Sequence, residues 1–408
     1  MIPYARALEL LLTESRALEG EWCRCSEARA RVLAEPVHAP RPLPPFTNAA
    51  MDGYALASGG NVLAAGSEYE IGGLIAAGAP PPADAAAKVW EITTGAAVPA
   101  GLDCIVPVER VEQLGGGRIR LRADLTCGQN IRQRGSDIAT GQQVGAAGQR
   151  VDPALRMMLA ALGVDRIKVG RRPRVVLLST GAELIANPSL ALGEGQIYAA
   201  NAPHLEASLY AMGAEVIADA SLGDDAQAFA RQLRDAATRA DLVVSTGAVS
   251  MGRHDFIPVS LQAAGARLLF HKVAIRPGKP LLAASLHEGP LFIGLPGNPI
   301  AAAAGFRFFV VPVLRAMLGM PPETPLRVPL LESVRLAPGL RRFLKARLRY
   351  SAAEGIGLEL LEGQESYRIG PLLQANAWAV LHEDASELPT GTLVDALPRD
   401  AGGGWFID

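Results

Sequence analysis

The sequence predicts a multidomain α/β plus β protein that is built around a central three-layer α/β domain. Three short apolar runs support this prediction, at Arg174–Gly181, Leu242–Gly247 and Leu291–Pro299. Each run ends in a glycine-containing polar turn, and helical patterns lie between the runs. Continuous runs of Val, Leu and Ile are typical of strands that are buried on both faces of a parallel sheet.

The turns that follow these three runs predict the position of a binding site. Ligands of open parallel sheets bind beyond the carboxyl ends of the strands. We therefore expect the turns at Thr180-Gly181, Thr246-Gly247 and Gly297-Asn298 to open on one crevice.

Length, charge and cysteine content narrow the class of protein. A chain of 408 residues is too long for one core and suggests two to three domains. A formal net charge of −2 gives no global attraction to nucleic acid or to anionic membranes.

No apolar run is expected to reach the roughly 18–20 residues that span a bilayer. Because the first residues do not resemble a secretory signal, the cytoplasm is the expected location. The four cysteines are expected to be reduced thiols, since Cys23-Arg-Cys25 lacks redox or zinc spacing.

The pattern along the chain predicts four domains, the first of them discontinuous. Residues 1–42 and 140–172 form a helical and extended domain, into which a β-rich module, 43–139, is inserted. The α/β domain covers 173–322, and a C-terminal β domain covers 323–408.

Helix signals within these domains are explicit. Helices are predicted over 4–19, over 26–34 with Ser26 as N-cap, and over 152–163 with Asp152 as N-cap. In the α/β domain we predict helices over 202–212, capped by Asn201, and over 226–239, capped by Asp224 or Asp225. A further helix is predicted to begin at Asn298-Pro299.

Two strand patterns are equally explicit. The segments 106–111 and 118–122 flank three glycines and predict a hairpin. Ile119 and Leu121 alternate with Arg118, Arg120 and Arg122, as in a half-exposed strand. Leu344, Ala346, Leu348 and Tyr350 alternate with Lys345, Arg347 and Arg349, which predicts a strand of the C-terminal β domain.

Two carboxylates lie in segments that suggest chemistry. Asp52 follows a proline-rich stretch, 39–46, which is stiff enough to carry it into a neighbouring cleft. The alternative is a turn aspartate that bonds its own backbone. Glu183 follows Ser179-Thr180-Gly181, whose hydroxyls and amides could bind phosphate or a polar heterocycle. The alternative for Glu183 is a helix-start residue that is favoured by the helix dipole.

Basic and glycine-rich loops predict an oxyanion site in the same domain. Lys272, Arg276 and Lys279 surround two prolines and a glycine and suit a small multivalent oxyanion, although a solvated loop is the alternative. The segments 245–250 and 294–299 add further anion-binding turns. The sequence has no P-loop, no dinucleotide-binding glycine motif and no nucleophile elbow.

These motifs together resemble the molybdopterin molybdenumtransferase family, the MoeA-type proteins, and are similar also to the gephyrin E-domain. The resemblance covers nearly the whole chain and depends on the order of the motifs. They are Pro45–Ala55, Thr94-Gly95, Asn130–Ile138, Ser179–Leu184, Gly195–Tyr198, Gly247–Ser250, Ile275–Pro280 and Gly294–Pro299.

The resemblance implies a homodimer of four-domain subunits that inserts molybdate into adenylylated molybdopterin and releases AMP, assisted by Mg²⁺. The active cleft would lie between the third domain, which binds molybdopterin, and the second domain of the other subunit. Molybdoenzymes and other cofactor-synthesis proteins are possible partners; nucleic acid and membrane are not expected.

The implied catalytic residues are Asp52, Glu183, Asp255 and Lys279. Asp224, Asp255, Glu183 and Asp52 are the candidate Mg²⁺ ligands. The implied substrate-binding residues are Thr94, Asp137, Ser179, Thr180, Gly181, Asp224, Gly247, Ser250, Lys272, Arg276, Pro296, Asn298 and Pro299.

The sequence also departs from the family pattern at several polar positions. Alanine occupies positions 49, 182, 199, 200 and 248, and Arg276 stands where the family usually has lysine. These changes leave alternatives open: a tungstate-inserting or weakly active paralogue, or a non-catalytic molybdopterin-binding scaffold. An adenylate-forming nucleotidyltransferase is also conceivable, because its fold resembles residues 173–320.

Overall fold

Three six-stranded sheets dominate the architecture. The computed structural model describes residues 1–247, 256–287, 289–352 and 355–402. Within these ranges the sheets lie in the order of the chain, with short two-stranded pairings between them.

The N-terminal segment contains one helix rather than the two predicted. Its elements are α1 (Tyr4–Glu14), β1 (Gly20–Arg24) and β2 (Val37–His38). The helix predicted over 26–34 is wrong. Val32 and Leu33 instead form bridges to Arg150 and Val169, and Ala30 has a φ of 59°. Pairing with distant segments outweighs the local helical pattern here, because it buries Leu33.

The next segment forms the first large sheet. The strands of this segment, six of which form the sheet, are β3 (Asn48–Ala49), β4 (Gly53–Leu56), β5 (Glu68–Ile75), β6 (Val89–Ile92), β7 (Cys104–Pro107), β8 (Val111–Leu114), β9 (Arg118–Leu121), β10 (Ile131–Arg132) and β11 (Gln143–Gly145). The sheet order is β7-β4-β6-β5-β9-β8. Strands β8 and β9 form a hairpin across the three glycines as predicted, but its first strand covers 111–114 and not 106–111. A single 3-10 turn, Val108–Arg110, links β7 to β8.

A capped helix follows the sheet and leads back to the N-terminal segment. Helix α2 (Pro153–Ala161) begins as predicted, since the Asp152 carboxylate accepts the N–H of Leu155 at 2.7 Å. Strand β12 (Arg166–Gly170) then pairs antiparallel with β1. The first and last parts of this region are therefore adjacent in space. The division into four domains remains a prediction.

The central region alternates strands and helices. Its elements are β13 (Arg174–Ser179), β14 (Leu184–Ile185), β15 (Ile197–Tyr198), α3 (Asn201–Ala211), β16 (Glu215–Ser221), α4 (Ala226–Arg239), β17 (Leu242–Thr246), α5 (Ile257–Ala263), β18 (Arg267–His271), β19 (Ile275–Arg276), β20 (Leu282–Ser285), β21 (Leu291–Leu295), α6 (Pro299–Gly305) and α7 (Val311–Met317). A π-helical turn, Phe306–Val310, joins α6 to α7.

The central sheet is mixed, not wholly parallel as predicted. Its order is β16-β13-β17-β21-β20-β18, and the first four strands are parallel. Strand β20 runs antiparallel to both of its neighbours, β21 and β18. The five-residue link between β20 and β21 is too short for a parallel crossover.

Helices cover both faces of this sheet. Val175 and Leu177 face a core that includes residues of α1, α3, α6 and α7, whereas Val176 and Leu178 face a core with α4 and α5. Alternate side chains of β13 therefore enter two different cores, which explains its unbroken apolar run.

The predicted helix caps of this region are confirmed in part. The Asp225 carboxylate accepts the N–H groups of Gln227 and Ala228 at 2.8 and 2.9 Å, so Asp225 caps α4. Asn201 does not cap α3. Its side-chain amide donates to the carbonyl of Gly297 at 2.8 Å, because it lies beside the loop before α6.

The helical run from Pro299 to Met317 corrects another expectation. It has 19 residues with a mean hydropathy of 1.6, long and apolar enough to cross a bilayer. In this fold 83% of its 18-residue apolar window is buried inside the protein, as is usual for a core helix.

The C-terminal region forms the third large sheet. Its elements are β22 (Leu326–Pro329), β23 (Val334–Arg335), β24 (Arg341–Ser351), β25 (Gly355–Leu360), α8 (Gly370–Gln374), β26 (Ala377–Leu381), β27 (Glu387–Leu388) and β28 (Leu393–Pro398). The order is β19-β24-β26-β28-β22, with β25 also paired to β24. Strand β19 belongs to the chain between β18 and β20, so this sheet is joined directly to the central region.

The strand predicted around Lys345 is confirmed as β24, but its burial does not follow the alternation of apolar and charged residues. Ala346 and Leu348 are buried, but Tyr350 is 62% exposed and Lys345 is fully buried. The Lys345 ammonium donates to the carbonyls of Gly363 and Arg368 at 2.6 and 3.0 Å. The following loop covers this part of the strand, which alternation within one strand does not reveal.

An ion pair at the start of β17 gives a test of the fold. The Asp241 carboxylate accepts two hydrogen bonds from the Arg171 guanidinium, both at 2.6 Å, and one from the N–H of Arg174 at 2.7 Å. Burial acts to raise the pKa of Asp241, but the bonds from Arg171 and Arg174 outweigh it and hold the pKa below its ordinary value. The stabilisation is therefore present near neutral pH and is lost as the pH falls through the lowered pKa.

We predict that Asp241→Asn lowers the free energy of unfolding by about 1–2 kcal/mol at neutral pH, because charge-assisted bonds are replaced by neutral ones. The gap to the wild type should narrow as the pH is lowered, measured by thermal unfolding across a pH series. Asp235→Asn is the matched control, since Asp235 is an exposed partner of Arg239 within α4. An equal effect of both variants at neutral pH would contradict the prediction.

Candidate functional site

A crevice of about 690 Å³ lies at the carboxyl ends of β13, β17 and β21. The strand pattern predicted that three turns open here, and residues of all three line the crevice. The lining includes nine of the residues proposed from the sequence: Ser179, Thr180, Gly181, Glu183, Asp224, Gly247, Pro296, Asn298 and Pro299.

Hydrogen bonds between neighbouring strand ends hold the floor of the crevice. Both the N–H and the hydroxyl of Thr180 donate to the carbonyl of Thr246, at 2.9 and 3.0 Å. The N–H of Gly247 donates to the carbonyl of Leu295 at 3.1 Å. Gly247 has a φ of 86°, and a Cβ there would lie 2.3 Å from the carbonyl oxygen of Thr180. The close approach of the two turns therefore requires glycine.

A buried hydroxyl without a partner faces this floor. Ser179 is 2% exposed, and its Oγ has no hydrogen-bond partner among the described residues. The Oγ of Ser245, in the neighbouring strand β17, is also buried without a hydrogen-bond partner among the described residues. A buried hydroxyl that makes no hydrogen bond costs free energy, and Ser179, which lines the crevice, carries such a hydroxyl.

Two exposed carboxylates lie at the edge of the same crevice. Glu183 and Asp224 both line it, and the N–H of Gly181 donates to the carbonyl of Gly223 at 3.3 Å, which brings their two turns together. The Glu183 carboxylate folds over Gly181, where an added Cβ would lie 2.8 Å from it. Within the described ranges no three acidic, histidine or cysteine residues form a closed metal cage.

This donor set fits Mg²⁺ in one particular way. Mg²⁺ is commonly bound by one or two carboxylates and completes its octahedron with waters and substrate phosphates. Glu183 and Asp224 supply carboxylate oxygens of the right chemistry for such an open site. They do not supply enough ligands for a site made of protein alone.

The C-terminal region supplies a wall of the crevice that sequence reasoning missed. Tyr367 lines the crevice, and the neighbouring Ser366 contacts the loop before α6. The Asn298 amide donates to the Ser366 hydroxyl at 3.1 Å, and the N–H of Ile300 donates to the Ser366 carbonyl at 2.9 Å. No local pattern identifies Tyr367, because it reaches the crevice only through this long-range contact.

Two further residues that line the crevice have small side chains. Ala199 and Ala200 follow β15 and line the crevice beside Asn201. These are two of the positions where the family pattern has polar residues. Exposed Tyr198 lies next to them, at 43% exposure, and also lines the crevice.

The three basic residues proposed for an oxyanion site do not line the described crevice wall. Arg276 and Pro277 instead line a second cavity, next to β24. Pro280, at the other end of the same segment, does line the crevice. The backbone carbonyl of Lys279 accepts the N–H of Val273, and that of Lys272 accepts the N–H of Ile2. The basic segment therefore runs along the side of the crevice towards the second cavity.

The predicted residues of the second domain lie apart from the crevice lining of the same chain. Asp52 is exposed, and its carboxylate accepts the N–H and the hydroxyl of Thr94 at 2.7 and 2.9 Å. These two bonds, the backbone one first, lower the pKa of Asp52. Asp137 is also exposed in this region. None of Asp52, Thr94 and Asp137 lines the crevice among its described residues.

Two of the proposed site residues, Ser250 and Asp255, lie outside the described residues. Ala248, one of the departures from the family pattern, also falls there.

The geometry of Gly247 gives a direct test of the crevice floor. We predict that Gly247→Ala lowers the free energy of unfolding by about 2–4 kcal/mol, because a positive φ and a backbone clash act together. Gly195→Ala is the matched control, since Gly195 has a φ of 78° and open space around it. Thermal unfolding should show a much smaller loss for the control, and equal losses would refute the close contact.

Comparison with known proteins assigns each part of the chain. Residues 2–163 match the MoeA N-terminal region (domain I and II), 176–316 match a probable molybdopterin binding domain, and 327–398 match the MoeA C-terminal region (domain IV).

Whole-chain relatives agree with these matches. A molybdopterin molybdenumtransferase of Synechococcus elongatus is 37% identical across 97% of this chain and 99% of its own length. Molybdopterin molybdenumtransferase 2 of Mycobacterium tuberculosis is 35% identical across 90% and 92%. The crystal structure of the molybdopterin biosynthesis MoeA protein from Pyrococcus horikoshii superposes with a TM-score of 0.81 at 28% identity, across 97% of this chain and 99% of that one. The resemblance inferred from the motifs is confirmed, and the chain belongs to the molybdopterin molybdenumtransferase (MoeA) family of enzymes in molybdenum cofactor biosynthesis.

Proposed function

We propose that the chain inserts molybdate into adenylylated molybdopterin and releases AMP in a Mg²⁺-dependent reaction. Molybdate is a substrate here, delivered to the dithiolene sulfurs of the pterin, and the adenylate bond is cleaved in the process. The observation that carries the proposal is the crevice at the ends of β13, β17 and β21, in the region that matches a molybdopterin binding domain.

The crevice offers the polar contacts that such a substrate needs. The unpartnered Ser179 hydroxyl and the turns around Thr180-Gly181 and Gly247 bind polar groups of the pterin or phosphates. Asn298 is fixed by its bond to Ser366, so it presents a rigid edge to the substrate. Catalysis by these groups depends on position and charge rather than on covalent chemistry.

Glu183 and Asp224 are the residues that would hold Mg²⁺ in this crevice. When bound, the ion neutralises part of the negative charge on the substrate phosphates. Both carboxylates are exposed, so they are accessible to a hydrated ion.

The second domain is proposed to act on the crevice of a partner subunit. Asp52 is held by Thr94, is exposed, and follows the proline-rich arm with exposed Phe46 and Met51 beside it. Because Asp52 is apart from its own crevice lining, a homodimer in which the sites are shared explains how it contributes. Asp52 keeps its charge at lower pH than an ordinary aspartate, which suits a role near a cation or a proton donor.

The reaction itself is tested with purified protein, adenylylated molybdopterin, molybdate and Mg²⁺. We expect AMP release that requires molybdate and falls by about 100-fold or more in Asp224→Ala, because a charge that positions the phosphates is lost. Asp235→Ala, an exposed acid on α4 of the same region, is the matched control and should retain activity. Tight molybdopterin binding without AMP release by the wild type would contradict the proposal and favour a binding scaffold. Replacing molybdate by tungstate in the same assay tests the choice of metal.

The shared site is tested by mixing two inactive variants. We expect Asp52→Ala and Asp224→Ala to be nearly inactive alone, and a mixture allowed to exchange subunits to regain about a quarter of wild-type activity. Half of the dimers are then mixed, and one of their two sites carries both intact residues. If each site is formed within one chain, every mixed dimer lacks one residue in each site. Absence of recovery after proven subunit exchange would therefore overturn the shared site.

A further inference from the structure

Two exposed aromatic rings lie in the crevice. Tyr198 and Tyr367 are the aromatic residues among the described residues that line it, and they are 43% and 63% exposed. Most of the remaining lining consists of glycines, prolines, alanines and small polar side chains, with Ala199 and Ala200 next to Tyr198. Much of the Tyr367 ring therefore remains accessible at the crevice.

The backbone on both sides of Tyr367 is held by a buried lysine. The Lys345 ammonium donates to the carbonyls of Gly363 and Arg368 at 2.6 and 3.0 Å. The Gln364 side chain accepts the N–H of Lys345 at 3.0 Å and donates to its carbonyl at 2.8 Å. The loop thus presents an exposed ring on a fixed backbone.

Hydrogen bonds connect the segments of both tyrosines to the loop before α6. Tyr367 approaches this loop from the C-terminal region, since the neighbouring Ser366 hydroxyl accepts the Asn298 amide at 3.1 Å. Tyr198 approaches it from the end of β15, since the Asn201 amide, three residues further on, donates to a carbonyl of the same loop at 2.8 Å. Two segments that are distant in the sequence therefore bring their rings to one crevice.

Accessible aromatic rings on a fixed backbone suit a flat, fused nitrogen heterocycle. Such a ligand stacks on tyrosine through its π-face, whichever polar groups it carries at its edges. The polar turns at Thr180-Gly181 and Gly247, in the same crevice, are available to those edge groups. The proposed substrate contains two heterocycles of this class, the pterin and the adenine.

We propose that Tyr367 stacks on a flat, fused nitrogen heterocycle of the substrate and is a specificity-determining residue of the crevice, with Tyr198 as a second aromatic contact. The inference rests on the proposed function for the source of the heterocycle, which is the adenine or the pterin. A stacking contact exists in the bound substrate as well as in the transition state, so it raises affinity more than it raises the maximal rate.

The test measures heterocycle binding by the full-length protein, with AMP and pterin-6-carboxylate as separate probes. For at least one probe, titration calorimetry should give a dissociation constant about tenfold weaker for Tyr367→Ala than for the wild type. The probe that loses affinity identifies the source of the heterocycle. Tyr367→Phe keeps the ring and should bind that probe within about twofold of the wild type.

Tyr350→Ala is the matched control for these titrations. Tyr350 is 62% exposed on β24, close to the value for Tyr367, and is not among the described residues that line the crevice. The control should bind both probes like the wild type. A loss of affinity in the control equal to that in Tyr367→Ala would overturn the inference.

The ultraviolet absorbance of the bound probe gives a second readout, which is specific to stacking. Stacking of two π-systems lowers the absorbance of the heterocycle, so the wild type and Tyr367→Phe should show this decrease at saturation. Tyr367→Leu keeps an apolar side chain without a π-face and should show a smaller decrease. A decrease of wild-type size in Tyr367→Leu would show that the ring does not stack.

Three further results would overturn the inference. The first is equal affinity of the wild type and Tyr367→Ala for both probes. The second is an equal loss of affinity in Tyr367→Phe and Tyr367→Ala, which would indicate a hydrogen bond from the hydroxyl instead of stacking. The third is failure of the wild type to bind either probe at concentrations up to about 1 mM.

The outcomes also separate this inference from the proposed function. Probe binding that depends on the Tyr367 ring, in a wild type that releases no AMP, supports the inference and rejects the proposed reaction. AMP release by the wild type, together with unchanged probe affinity in Tyr367→Ala, keeps the reaction and overturns the inference. If both hold, Tyr367→Ala should need about tenfold more substrate for half-maximal AMP release, with a smaller change in the maximal rate.

Discussion

The parallel register of β13, β17 and β21 is the constraint on which the site depends. Ser179 lies opposite Thr246, and Thr246 lies opposite Leu295, so the three strands end at one level. Their turns then contact each other directly, through the bonds from Thr180 to Thr246 and from Gly247 to Leu295. A shift by one residue would turn the Ser179 hydroxyl towards the opposite face of the sheet. The buried runs that fix this register are therefore also what positions the polar groups of the crevice.

Sequence reasoning succeeded where the signal is local. The apolar runs, the caps at Asp152 and Asp225, and the hairpin between β8 and β9 are each encoded by a few neighbouring residues. It failed where the conformation or burial of a residue depends on a segment that is distant in the sequence. Residues 32 and 33 pair with segments more than a hundred residues away instead of forming a helix. Lys345 is buried because a later loop offers two carbonyls to its ammonium.

The site shows the same division between local and long-range information. The turn residues were predicted because they follow strands whose direction is shared, and nine of them line the crevice. Tyr367 and Asn201 were not predicted to contribute, since each reaches the crevice through contacts with the loop before α6. Asp52 and Thr94 form a bonded pair that a sequence motif can suggest, but neither lines the crevice among its described residues.

The pairing of β19 with β24 joins the C-terminal sheet to the central region beside the crevice. Arg276 belongs to the basic segment beside the crevice, and this pairing sets it opposite Arg342 of the C-terminal sheet. The loop after β25 is anchored in turn by Lys345 and brings Ser366 to Asn298. Two independent contacts thus connect the C-terminal sheet to the crevice, one at the basic segment and one at the start of α6. A rotation of that sheet would therefore change both the cavity lined by Arg276 and Arg342 and the wall of the crevice formed by Tyr367.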